Sequence, residues 1–160
     1  MKMKMKIIRS LLKIKMNIHH KEGNILDAEE DYICHQCNCV TRRGKGLSEQ
    51  IFNKFPYADV YSKRKSPSVP GTIEVRNNII AMYAQYFPGK AKYESDGKYE
   101  RILWFILCLE QIIKLNPKSI ALPYGIGCGL AGGKWSEYYE IIERMAHKYP
   151  SIKIVIYKLQ

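Results

Sequence analysis

The sequence has no apolar run long enough to span a bilayer. Its longest, Ile102–Leu109 (ILWFILCL), is under half of the roughly 18–20 residues that a membrane helix requires. No repeat, low-complexity tract or linker interrupts the chain, which excludes fibres and strings of domains. Its five cysteines are odd in number, and Cys34, Cys37 and Cys39 crowd one short segment, which is no disulfide framework. The first 21 residues contain no acid, while Lys2, Lys4, Lys6, Arg9, Lys13, Lys15 and Lys21 all fall there. Those cations also break the unbroken apolar stretch that a secretory signal needs, so a cytoplasmic location is expected.

What is present is the composition of a globular domain. The 160 residues are 46% hydrophobic and 26% charged, enough to bury a core without staples. The 26 Lys and Arg exceed the 15 Asp and Glu, giving a formal charge of +11. Residues 1–12 read as a basic N-terminal extension and residues 13–160 as one domain. The extension is either a solvated strand or an arm for weak contact with nucleic acid. Cys34 and Cys37 have C-x-x-C spacing, but a structural zinc site needs a second ligand pair. Cys108, Cys128 and His147 do not supply one, so no metal is expected.

Period-2 alternation over Lys13–His19 predicts a half-buried strand, and residues 1–8 alternate similarly. Further strands are predicted at Asp31–Cys37, Thr72–Arg76, Asn78–Gln85, Ser119–Leu122 and Ile152–Leu159. Helices are predicted at Leu47–Phe55, Tyr99–Leu115 and Trp135–Tyr149, each stopped at or just before a proline. The second is apolar on nearly every side, so it is either buried or at an interface. Strands interleaved with helices imply an α/β sandwich around a mixed sheet.

Glycines locate the chemistry. Of 11 in the chain, Gly125, Gly127, Gly129, Gly132 and Gly133 fall between a buried strand and a helix start. Successive backbone N–H groups in such a loop form an anion cradle. A second glycine-rich loop, Gly44-Lys45-Gly46, leaves another strand end, and two such loops make the ligand crevice of an α/β sheet. Gly127–Gly132 matches G-x-G-x-x-G, but no acid follows on a later strand end as dinucleotide binding requires. Trp135 stands where a P-loop needs Ser or Thr, and no arginine closes the loop as in cysteine phosphatases.

HQCN followed by GKGLS and then by LPYGIGCGLAGGKW, with GNIL ahead of both, resembles the macro domain family. The nearest branch is that of the ADP-ribose-1″-phosphate phosphatases, and the similarity runs in order from about Lys13 to Leu159. The resemblance implies a three-layer α/β/α sandwich with a mixed central sheet, binding ADP-ribose across the sheet top. It assigns Gly23, Asn24 and Ile25 to the adenine edge, although many members have Asp where Asn24 stands. Asn38 would hydrogen-bond the distal ribose, and Gly44, Lys45, Gly46 and Leu47 would form the first phosphate-side loop. Pro123 and Gly125 would open the diphosphate loop, which continues through Ile126, Gly127, Cys128, Gly129, Leu130 and Ala131, with the Cys128 N–H serving the phosphates. Tyr157 either stacks on adenine or is a simple strand tyrosine.

The departures restrict mechanism. Branches that cleave ADP-ribose from proteins or DNA use a lysine, and it would fall near Gln85, which forms no Schiff base. Lys90 or Lys92 would then have to reach in from a loop. The acid/base aspartate of the protein-directed branch falls near Ala131. The resemblance therefore favours removal of the terminal phosphate by a positioned water, needing no cofactor, with Asn38 as a contact and His35 as acid or base. The alternatives are an ADP-ribosyl hydrolase on protein or nucleic acid and a non-catalytic reader of ADP-ribose. A monomer is expected.

Overall fold

The computed structural model describes residues 2–160, and for residues 9–16 the backbone alone. Its elements in chain order are α1 (Lys2–Asn17), β1 (Ile18–Glu22), β2 (Tyr32–Gln36), α2 (Leu47–Lys54), β3 (Ile73–Arg76), β4 (Ile79–Met82), α3 (Lys98–Lys114), β5 (Ser119–Pro123), α4 (Trp135–Lys148) and β6 (Lys153–Lys158). The strands form one sheet in the order β1-β6-β5-β2-β4-β3, parallel throughout except where β3 meets β4. That pair is a tight hairpin, turned by Asn77 at φ 51°.

Alternation along each strand separates two buried layers. Cys34, Ile80, Met82, Ile120, Leu122, Ile154 and Ile156 face Phe105 and Ile112 of α3 and Ile142 of α4. Ile33, Ile79, Ala81, Ala121 and Val155 face Ile51 and Phe52 of α2. Helices therefore cover both faces, as a buried parallel sheet requires, and the expected three-layer sandwich with a mixed sheet is what forms. Each fully buried Ile or Phe contributes roughly 1.5–3 kcal/mol.

The N-terminus differs from expectation. Residues 2–17 are one helix that crosses the boundary expected at residue 12, and the strand begins only at Ile18. Lys, Met, Leu and Arg are strong helix formers, and no Gly or Pro interrupts them. The short K-M-K alternation misled because β1 starts where β6 offers a parallel partner, with Ile18 opposite Ile154. Asn17 anchors the junction, donating from Nδ2 to the carbonyls of Ala146 and Ile152. Helix α3 buries Phe105, Cys108, Leu109 and Ile112 and leaves Tyr99, Leu103 and Leu107 exposed. Among the described residues, no helix is long and apolar enough to cross a membrane.

Candidate functional site

Five parallel strands end on one side of the sheet, and the loops that leave them enclose a cleft of about 650 Å³. His35, Gln36 and Asn38 at the end of β2, with Gln85 beyond β4, form its floor. Thr41, Arg43, Lys45, Gly46, Leu47 and Ser48 make one wall, and Pro123 to Gly127 with Gly129, Leu130 and Ala131 make the other. A second recess of about 380 Å³ shares Leu47, Pro123 and Tyr124 with the cleft and extends over Gly23, Asn24, Ile25, Gln50, Tyr157 and Lys158. Among the described residues no carboxylate lines either space, whereas Arg43, Lys45 and Lys158 do.

The loop after β5 is a chain of tight turns. Ile126 N–H donates to Pro123, Cys128 to Gly125, Gly132 to Gly129 and Gly133 to Gly127. Among the described residues, no protein acceptor meets the N–H groups of Gly125, Gly127, Gly129, Leu130 and Ala131. These unused donors leave the loop a run of N–H groups that an anion can accept from. Glycine is obligatory at two places. A Cβ on Gly127, at φ 78°, would lie 2.6 Å from the Tyr138 ring, and one on Gly133 would lie 2.5 Å from the Gly127 carbonyl. Across the cleft, Gly46 caps α2 at φ 59° with no side-chain acceptor, so that helix also opens its first N–H groups toward the cleft.

Side chains on the floor are held by one another. His35 is fully buried, with Nδ1 3.1 Å from the Ser48 hydroxyl, and burial pushes its pKa down to about 4. It is therefore neutral at neutral pH. Asn38 closes its own turn: Oδ1 accepts from the N–H groups of Val40 and Thr41, and Nδ2 donates to the Thr41 hydroxyl. Gln85 donates to the Phe87 carbonyl and accepts from Gln36, which leaves Gln36 Oε1 buried without a partner.

A buried ion pair ties the loop after β4 to the loop after β5. Arg101, on the first turn of α3, donates through Nε and Nη2 to Asp96 at 3.0 and 2.8 Å. It also donates through Nη1 to the carbonyls of Gly89 and Ala131. Burial would raise the Asp96 carboxyl, but the guanidinium and the N–H groups of Tyr86 and Phe87 hold it below the usual carboxylate range.

No protein-family model and no curated protein matches this sequence. Solved structures do match. The macrodomain of Mycobacterium tuberculosis DarG superposes with a TM-score of 0.70 at 22% identity, over 88% of this chain and 96% of that one. Thermosipho africanus DarTG in complex with ADP-ribose gives 0.65 at 21%, over 92% and 42%. The Trypanosoma brucei macrodomain in complex with ADP-ribose gives 0.62 at 12%, over 92% and 65%. The fold is that of a macrodomain.

Within this macrodomain fold, the structure brings Asn38, Lys45, Gly46, Leu47, Gln85, Pro123, Gly125, Ile126, Gly127, Gly129, Leu130 and Ala131 to the main cleft. Gly23, Asn24, Ile25 and Tyr157 line the adjoining recess. Gly44 and Cys128 are not brought into either space. A Cβ on Gly44 would lie 2.9 Å from the backbone nitrogen of Glu49, so this glycine permits the close approach of α2. The Cys128 N–H, expected to serve a ligand, is taken by Gly125, and its half-buried thiol is pushed up to about 11 by burial. Sequence reasoning missed Gln36, Thr41, Arg43, Ser48, Tyr61 and Tyr124 as lining residues, and Arg101 with Asp96 as the clamp.

Proposed function

We propose that the protein binds ADP-ribose and hydrolyses the terminal phosphate of ADP-ribose-1″-phosphate. The observation that carries this reading is the row of unused N–H groups in a cationic, carboxylate-free cleft that continues into an aromatic recess. The adenine occupies the recess between Ile25 and Tyr157, and the diphosphate lies along Gly125–Ala131. The distal ribose lies over Asn38 and Gln85. Macrodomains solved with ADP-ribose in Thermosipho africanus and Trypanosoma brucei support the choice of ligand. A 1″-phosphate adds negative charge where Arg43 and Lys45 stand and where no carboxylate repels it.

In this reading water attacks phosphorus, the bond from phosphorus to the ribose oxygen breaks, and ribose leaves as its alcohol with inorganic phosphate. Backbone N–H groups stabilise the transferring phosphoryl oxygens. His35, neutral at neutral pH, acts as a hydrogen-bond partner that orients the Ser48 hydroxyl at the cleft wall, and Asn38 shapes the loop beside it. Titration calorimetry with ADP-ribose, with ADP and NAD as controls, is expected to give saturable binding near the micromolar range, roughly −8 kcal/mol. Phosphate release from the 1″-phosphate then tests the reaction, and binding without release would leave a reader of ADP-ribose.

One observation favours a second reading, removal of ADP-ribose from a protein or nucleic acid. The Lys90 stem lies against Gly132, where a Cβ would be 2.8 Å from its Cγ, so a lysine stands at the rim of the diphosphate loop. Release of free ADP-ribose from a modified macromolecule, lost in Lys90→Ala, would favour that chemistry over phosphate release.

A further inference from the structure

The two edges of the sheet differ. At one, β1 exposes the polar residues His19, His20, Lys21 and Glu22. At the other, β3 reads Ile73-Glu74-Val75-Arg76, with two β-branched residues and neither the Lys nor the Pro that commonly guards an open edge. The Tyr83 N–H donates to the Thr72 carbonyl, and in an antiparallel pair such bonding recurs at every second residue. Glu74 and Arg76 therefore bond inward to β4, while Ile73 and Val75 turn their N–H and C=O groups out to the edge. Among the described residues, no hydrogen-bond partner meets those outward groups.

Side chains alternate across the same strand. Glu74 lies opposite Ala81, so it shares the α2 face of the sheet with Arg76. There Arg76 donates through Nε to Glu74 Oε2 at 2.8 Å and through Nη1 to the carbonyls of Tyr57 and Asp59. Glu74 Oε1 accepts from the Tyr83 hydroxyl, so both charges are held in place, with side chains 41% and 38% exposed for Arg76 and Glu74. Val75 lies opposite Ile80, on the α3 face. On that face Val69, Val75 and one stripe of α3, Tyr99, Leu103 and Leu107, are all exposed. A Cβ on Gly71 would lie 3.0 Å from Leu107 Cδ1, so the stripe runs beside the base of the β3–β4 hairpin.

We infer that the edge of β3 is a dimer interface, occupied by β3 of a second copy in antiparallel pairing. With the two-fold axis at Val75, this residue exchanges both backbone bonds with its counterpart, and each Glu74 stands opposite Arg76 of the other copy. Moving the axis to Glu74 or to Arg76 would set like charges against each other, so charge selects the register. The axis is perpendicular to the sheet, and each face therefore stays on its own side. Acids and bases alternate around the axis on the α2 side, and the exposed apolar groups of the two copies approach on the α3 side. This dimer stands against the monomer expected from the sequence.

Sedimentation equilibrium of the full chain at physiological ionic strength tests the pairing. The wild type is expected to approach twice its mass of 18.6 kDa as concentration rises. Glu74→Arg and Arg76→Glu each place like charges across the axis and are expected to raise the dissociation constant about tenfold or more. Combining the two substitutions exchanges the charges and is expected to restore the dimer. Val75→Pro removes an N–H that β4 does not use, and is expected to give a monomer with the circular dichroism of the wild type. A wild type that stays monomeric at every concentration would overturn the inference. So would a dimer that ignores the single charge inversions, or one that the charge exchange does not recover.

Discussion

Gly127 and Gly129 lie two residues apart in one loop but do different work, and single methyl groups separate their roles. Gly127→Ala imposes a left-handed φ on alanine and drives its Cβ into Tyr138, so a loss of roughly 3 kcal/mol in stability is expected by thermal unfolding. Gly129 has nothing within 4 Å of its added Cβ. Gly129→Ala is therefore expected to fold like the wild type, and any weakening of ADP-ribose binding in calorimetry reports the ligand's passage over that residue. His35 contributes a pH dependence. Its folded pKa of about 4 lies below its ordinary value, so the unfolded chain binds more protons in the window between them. Stability is complete above the ordinary value and falls by roughly 3 kcal/mol as pH drops through the window toward about 4. Denaturant melts across that range should show the slope, and His35→Gln should flatten it.

At the scale of elements, the Arg101–Asp96 clamp joins the start of α3 to both loops that flank the distal cleft. Arg101→Ala would leave a fully buried carboxylate unpaired, and a loss of about 3–5 kcal/mol is expected. Arg101→Lys keeps the charge but cannot form the fork that reaches Asp96, Gly89 and Ala131 together. Its expected signature is a smaller loss of stability with a disproportionate loss of ligand affinity, because the two loops lose their shared anchor. Comparing unfolding with calorimetry on the same protein separates these effects.

For the molecule as a whole, the point where α1 joins the sheet is fixed at Asn17, through its bonds to Ala146 and Ile152. Helix α1 enters the sheet at the N-terminal end of β1, while the cleft lies at the opposite ends of the parallel strands. Deleting residues 1–15, which retains Asn17 and its bonds to Ala146 and Ile152, is expected to leave ADP-ribose affinity unchanged. Any binding to nucleic acid that depends on this arm should disappear in the same variant and weaken steeply with salt in the intact chain.

Much of the architecture was legible along the chain. Each predicted strand from Asp31 onward overlaps an observed one, and the three predicted helices differ from α2 and α4 by one residue at one end and from α3 by one residue at each end. Periodicity and proline or glycine punctuation are local properties, and local sequence carries them. The same holds for Gly127 and Gly46, whose positive φ values select glycine and so mark both walls of the cleft. The N-terminal helix was misread because a short Lys/Met alternation suits either period, and only pairing with β6 decides where the strand begins. What lies in the cleft depended on tertiary structure. Burial makes His35 neutral, and hydrogen bonds within its own turn hold Asn38. Contacts across the fold, such as Arg101 with Ala131 or Tyr61 with Asn38, join residues 23 or more positions apart. The sequence by itself therefore determined the elements and the glycine loops, while the charge state and orientation of the groups between them were decided by burial and hydrogen bonding in the folded chain.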